Sequence, residues 1–165
     1  MATFSSRLAY LAGAFFAAGL MAFGLYLQYV EHQDPCPLCM VQRVIFIGIL
    51  IIFALAAVQH PHRLGQRIYA LLISALSLFG VAVAARHIWI QNLPKDQVPA
   101  CGPGLDYMLE TMPMTSVLKE LMHGSGECAE KGWTLLTLGI PEWSLLCYLA
   151  LGSWAILIAV KKFPR

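Results

Sequence analysis

Charge is what this sequence has least of. Asp, Glu, Lys and Arg make up 12% of its 165 residues while 59% are hydrophobic, and a soluble domain usually carries about 25% charged residues. That balance excludes a water-soluble globule. Eleven basic against nine acidic residues leave a formal charge of +2, too small and too dispersed for the basic face that binding a nucleic-acid backbone requires. Internal repeats and low-complexity tracts are missing, and the length suffices for one domain rather than two. The expectation is a single unit, residues 1–165, folded inside a bilayer and binding no nucleic acid.

Long hydrophobic runs are present in its place. Four stretches are free of Asp, Glu, Lys and Arg: Leu8 to Val30, Val44 to His62, Ile68 to Ala85 and Trp143 to Val160. Each is close to the roughly 20 residues a spanning helix needs. They predict an all-α membrane protein, a bundle of four transmembrane helices over 8–30, 44–62, 68–88 and 143–160, with loops 31–43 and 89–142 on one side. The first run follows Arg7 as a secretion signal would. Its apolar core, however, exceeds the roughly 7 to 15 residues of such signals, and it ends in Tyr26 and Tyr29 without a clear cleavage site. It is read as a mature helix.

An even number of spans puts both termini and the connection between helices 2 and 3 on one side. That side holds Arg7, Arg63, Arg67, Lys161, Lys162 and Arg165 and no acidic residue, whereas all nine carboxylates fall in the other two connections. Lys and Arg accumulate on the cytoplasmic side of membrane proteins. Both termini are therefore expected in the cytoplasm and the two remaining loops outside it, in the periplasm of a bacterial inner membrane.

The long loop, counted from His87 to Glu142, has 56 residues, and loops beyond about 12 to 15 residues usually fold or carry function. Leu105, Met108, Leu109 and Met112 recur at helical spacing, as do Val117, Leu118, Leu121 and Met122, with Pro113 between the sets. Two short amphipathic helices are predicted there. Trp133 to Ile140 is apolar, too short to span, and stopped by Gly139 and Pro141. It is expected to lie along the outer leaflet as an interfacial segment.

Four of the five cysteines sit in the outer loops: Cys36 and Cys39 in the short one, Cys101 and Cys128 in the long one. An oxidising outer face lets such residues form disulfides. Cys147, inside the fourth run, reads as a small packing residue. Pro35-Cys36-Pro37-Leu38-Cys39 places a C-x-x-C just before a helix. The thiolate is the nucleophile, and a helix N-terminus or a nearby cation stabilises it. Cys39 is expected to receive both, from the first-turn amides and from Arg43 one turn on. Zinc ligation would call for cysteines in paired short spacings, but 26 residues separate Cys101 from Cys128, so no metal is expected. Met112 and Met114, on either side of Pro113, read as apolar gap-fillers rather than copper ligands. Redox catalysis and plain structural disulfides remain, and a chain with a bilayer to fold in has less need of staples.

At this point the residues resemble the disulfide bond formation protein B (DsbB) family over essentially the whole chain. The resemblance rests on Pro35-Cys36-Pro37-Leu38-Cys39-Met40-Val41-Gln42-Arg43, on His87 near the outer end of the third span, on Gly126-Glu127-Cys128-Ala129-Glu130 followed by Trp133, and on Pro141-Glu142-Trp143 opening the fourth. It implies a quinone-dependent protein dithiol oxidase that reoxidises a DsbA-like periplasmic thiol oxidase. Cys36 and Cys39 would be the membrane-proximal redox pair, Cys39 facing a ubiquinone or menaquinone from the membrane pool. Arg43 would hold a quinone carbonyl or its developing oxyanion, with His87 the second quinone-proximal residue. Cys101 and Cys128 would form the loop disulfide, Cys101 taking the mixed disulfide with the partner, and a transient Cys36–Cys128 bridge would join the two pairs. Gln42 stands where related chains carry Glu, leaving no acidic proton acceptor beside Arg43.

Energetics explain why such a relay needs a strong electron sink. A DsbA-type oxidant lies near about −120 mV and a structural disulfide below about −300 mV, a gap of roughly 8 kcal/mol for two electrons. Two other readings stay open on the sequence alone. One is a non-catalytic membrane scaffold stapled by disulfides; the other is a quinone-linked thiol oxidase with a different partner, as in vitamin K epoxide reductase.

Overall fold

A computed structural model describes residues 6–94, 96–100 and 105–161 of the chain. Six α-helices carry them: α1 Ser6–Tyr29, α2 Pro37–Gln59, α3 Arg63–Gln91, α4 Leu105–Thr111, α5 Met114–His123 and α6 Ile140–Val160. A 3-10 helix, Gly126–Ala129, and two short strands, β1 Thr134–Leu135 and β2 Leu138–Gly139, precede α6. The helices α1, α2, α3 and α6 are the four long and apolar enough to cross a membrane. The protein is an all-α, four-helix, multi-pass membrane protein.

The helices are apolar all round, which suits a lipid-facing bundle rather than a water-facing one. Tyr10, Ile49, Phe53, Ile73, Tyr148 and Ile158 point inward and are fully buried, while Phe15, Ile51, Leu71, Leu78 and Ile156 stay exposed on the outer surface. Apolar side chains gain little by leaving lipid, so close packing must hold the bundle together. Gly80 shows how: a Cβ there would meet the Tyr148 ring at 2.5 Å, so the missing side chain is the socket for the tyrosine. The Tyr148 ring in turn stacks on Phe46 at 4.1 Å and 8°, and its hydroxyl donates to the Gln42 carbonyl at 2.8 Å. One aromatic thereby ties α6 to α2 and α3.

Three helices extend well beyond their charge-free runs. Helix α2 begins at Pro37 rather than near Val44, α3 runs Arg63–Gln91 rather than Ile68 to Ala85, and α6 begins at Ile140 rather than near Trp143. Helices α2 and α6 each open on a proline in the first turn, where the missing N–H costs nothing. Arg43, in the second turn of α2, and Glu142, in the first turn of α6, interrupt the apolar run without interrupting the helix, because a charge near a helix end can reach a partner or the interface.

The long loop contains α4 and α5 over the two predicted segments. The Trp133 segment, for which the sequence specified no secondary structure, folds into an antiparallel hairpin pairing Thr134 with Gly139 and Leu135 with Leu138. The two turn residues, Leu136 and Thr137, both have positive φ, 52° and 67°, the conformation that a two-residue hairpin turn demands. Trp143 Nε1–H donates to the Leu135 carbonyl at 3.2 Å, fixing the hairpin to α6.

Candidate functional site

The site is built on the first turn of α2. Cys36 is its N-cap, in extended conformation, and its Sγ accepts the Cys39 N–H at 3.4 Å. Sequence reasoning directed the free amides of this turn at Cys39; the structure directs one at Cys36, because the helix starts one residue after it. The Cys36 thiol donates to Cys39 Sγ at 2.8 Å, and Cys36, Cys39, Cys128 and Cys147 are all free thiols.

A third sulfur comes from 92 positions further along the chain (128 minus 36). Cys128 lies in the 3-10 helix, fully buried, and its Sγ lies within 4.8 Å of that of Cys36. Gly124 makes this approach possible. Its φ is +80°, and a Cβ there would meet Ile90 at 2.7 Å and Leu38 at 3.1 Å, so the loop descends onto α2 and α3 only where a side chain is missing and left-handed backbone is free. Cys101, the other loop cysteine, lies outside the described residues.

The two sulfurs outside the spanning helices are poor thiolates. Hydrogen bonding with Cys128 favours the ionised form of Cys36, yet the Cys39 sulfur beside it and burial together win, and the Cys36 thiol is pushed up to about 12. The Cys128 thiol is also raised, first because it hydrogen-bonds with Cys36 and then because it is buried. Crowded sulfurs cannot all be anions at once.

His87 reaches the same point from α3. Its Nε2 lies 3.7 Å from Cys36 Sγ, and its Nδ1 lies 3.3 Å from Gln42 Nε2. Both His87 and Gln42 are buried. An amide N–H can only donate, so this arrangement leaves Nδ1 as acceptor and puts the imidazole proton on Nε2, toward the sulfur. Cys36 Sγ, Cys128 Sγ and a ring nitrogen of His87 lie within 4.8 Å of one another.

Arg43 lines the same cavity as Cys39 and is anchored on α1. Its guanidinium donates through one terminal nitrogen to Gln28 Oε1 and through the other to the Gly24 carbonyl at 3.0 Å. Two of its five N–H donors are used, and the others remain for a ligand. Gln28, missed in the sequence, was visible as a lone amide inside an apolar run. Glu142 was missed too: its Oε2 is buried without a hydrogen-bond partner.

These side chains surround a cavity of about 600 Å³. Cys36, Cys39, Arg43, His87, Glu142 and Cys147 line it among apolar residues of α1 and α2 such as Leu20, Leu27 and Phe46. Cys147 thus both packs and faces the cavity. Across the mouth, Trp133 stacks edge-on against Phe23 at 5.2 Å, and its N–H donates to Gln33 Oε1 at 3.3 Å.

A dithiol capping a membrane helix, with a loop thiol delivered against it, defines the class as a membrane-embedded thiol oxidoreductase. The family model for disulfide bond formation protein DsbB matches residues 6–158, and the chain belongs to that family. Among its relatives, the disulfide bond formation protein B of Hahella chejuensis is 50% identical over 139 residues, 84% of each chain. That of Methylococcus capsulatus is 43% identical over 153 residues, 93% of each chain. Disulfide bond formation protein B 1 of Pseudomonas aeruginosa is 43% identical over 158 residues, 96% of this chain and 97% of that one.

Proposed function

We propose that the protein reoxidises a periplasmic DsbA-like thiol oxidase and passes the electrons to a membrane quinone. The single observation that carries this reading is Cys128 seated against Cys36, in the wall of an apolar cavity that Cys39 also lines.

Electrons enter at the loop. The partner's thiolate attacks Cys101, expelling Cys128 as the leaving group, and the partner's second thiol then resolves the mixed disulfide, so the partner leaves oxidised and the loop keeps two thiols. Exchange with the Cys36–Cys39 disulfide follows through a Cys36–Cys128 bridge, breaking one S–S bond for each one made. Attack on Cys36 releases Cys39 as the thiolate, and attack by Cys101 on Cys128 then releases Cys36. His87 Nε2–H, aimed at Cys36, stabilises that second leaving sulfur. Cys39 ends with the electron pair at the cavity wall.

The cavity fits a quinone by chemistry: an apolar lining for a lipid-soluble ring, with spare donors of Arg43 for a carbonyl oxygen and His87 in the wall beside it. Such a quinone, ubiquinone or menaquinone, supplies the two-electron acceptor that a high-potential partner requires. Arg43 is held by α1 and His87 by the Gln42 side chain, so the polar groups are in place before anything binds. The distribution of Lys and Arg puts both termini in the cytoplasm and the cysteine loops in the periplasm of the inner membrane.

The test is anaerobic turnover. Purified protein receives reduced DsbA and a soluble quinone while quinone absorbance is followed, with Cys39→Ala and Cys101→Ala in parallel. Turnover in the wild type and its loss in both variants is expected. An inert wild type that also fails to oxidise DsbA would leave a disulfide-stapled scaffold or an oxidase for another partner as the better reading.

A further inference from the structure

We propose that the reduced protein binds a thiophilic divalent cation of the zinc class between Cys36, Cys128 and His87, and that the bound ion holds the relay in its dithiol form. Ligands close in sequence do not form this site. The fold assembles these three from the N-cap of α2, the 3-10 helix and α3, all of them buried.

The geometry suits the ion. Tetrahedral zinc with bonds of about 2.3 Å to sulfur and about 2.0 Å to nitrogen sets an S···N separation of about 3.6 Å and an S···S separation of about 3.8 Å. Cys36 Sγ and His87 Nε2 stand 3.7 Å apart, and all three donors fall within 4.8 Å. By contrast, the Cys36 and Cys39 sulfurs are only 2.8 Å apart, too close for two ligands of one ion without a side-chain rotation. The trio is therefore the better-shaped site, and two of its members, Cys36 and His87, also line the cavity.

Gln42 completes it. A ligating imidazole needs its other nitrogen hydrogen-bonded so that the correct tautomer faces the metal. The Gln42 amide stands 3.3 Å from Nδ1, and by turning its amide over it accepts Nδ1–H through oxygen, leaving the Nε2 lone pair for the ion. A glutamine serves both tautomers, donating to Nδ1 without metal and accepting from it with metal.

The chemistry balances without redox change. The cation displaces one proton each from Cys36 and Cys128 into water, two sulfur–metal bonds and one nitrogen–metal bond form, and no electrons move. Only the reduced protein offers these ligands, because the Cys36–Cys39 disulfide has no thiolate to give. The arrest of the relay rests on the function proposed above; metal binding does not.

Cobalt(II) is the probe, added anaerobically to the full-length, phosphine-reduced protein in detergent. Expected are one cobalt per chain, a thiolate-to-cobalt charge-transfer band and visible bands of tetrahedral intensity, all absent from the oxidised protein. Cys128→Ser and His87→Asn each weaken binding at least tenfold, whereas Cys39→Ser and the surface variant His60→Asn retain it. X-ray absorption of the zinc-loaded wild type, which needs no variant to fold, shows sulfur together with imidazole nitrogen. Loss of binding in Cys39→Ser with retention in Cys128→Ser and His87→Asn would assign the metal to the C-x-x-C pair and overturn the proposal. So would equal binding by the oxidised protein, a sulfur-only shell, or no binding at all. A protein that binds cobalt as described yet fails to reduce quinone refutes the proposed function and leaves the metal site standing.

Discussion

Gln42 Nε2 stands 3.3 Å from His87 Nδ1, and this contact between α2 and α3 decides which ring nitrogen of the histidine carries its proton. The other nitrogen faces Cys36, so an amide on the opposite edge of the ring sets whether the imidazole donates to the thiol or accepts from it.

Gln42→Leu removes that donor and leaves a buried imidazole nitrogen unpaired, at a cost of about 1–3 kcal/mol. The midpoint of unfolding in mixed detergent should fall accordingly. Gln42→Glu can only accept from Nδ1, which turns Nε2 into an acceptor. Nitrogen-15 chemical shifts of His87 should report the tautomer change, and unchanged shifts would show that Gln42 does not set it.

Gly124→Ala should lift the Cys128 loop. The backbone there is left-handed and the added methyl group meets Ile90 and Leu38, a combined strain of about 1–3 kcal/mol. In a Cys39→Ser background, oxidative formation of a Cys36–Cys128 disulfide should drop severalfold. Alkylation of Cys128 should accelerate at the same time, since the residue is fully buried in the native loop.

Arg43→Lys should damage the cavity although it keeps the charge. An ammonium cannot reproduce the fork that engages Gln28 and the Gly24 carbonyl together while leaving donors free. On the quinone reading, the KM for a soluble quinone rises at least tenfold while exchange between DsbA and the loop cysteines proceeds as before. An unchanged KM would place the quinone away from Arg43.

The raised Cys36 thiol gives a pH dependence of defined sign. Its ordinary value of 9.0 moves up to about 12 in the fold, so at neutral pH Cys36 is a thiol and a slow nucleophile. Iodoacetamide labelling of Cys36 in the reduced protein should rise only as pH approaches 12, read by mass spectrometry. The folded state holds this proton more tightly than the unfolded chain. The associated stability is therefore complete below about pH 9 and is lost as pH rises through the folded value.

Much of this protein follows from its sequence alone. Runs without charge set the four spanning helices, because lipid excludes unpaired ions, and Pro113 separates α4 from α5. The C-x-x-C at a helix start identified the dithiol, since local spacing is enough to place two residues on one turn. Tertiary structure decided what local spacing cannot express. Cys36 rather than Cys39 caps α2, because the cap depends on the residue at which the helix begins. Arg43 turns to α1 because Gln28 and Gly24 become its neighbours only when the two helices pack. His87 and Cys128 meet at Cys36, with Gln42 on the other edge of the imidazole, because Gly124 and Gly80 leave room for a loop and a tyrosine to enter. Side chains on a single element are ordered by its period; groups from different elements meet only where packing and missing side chains allow them to approach.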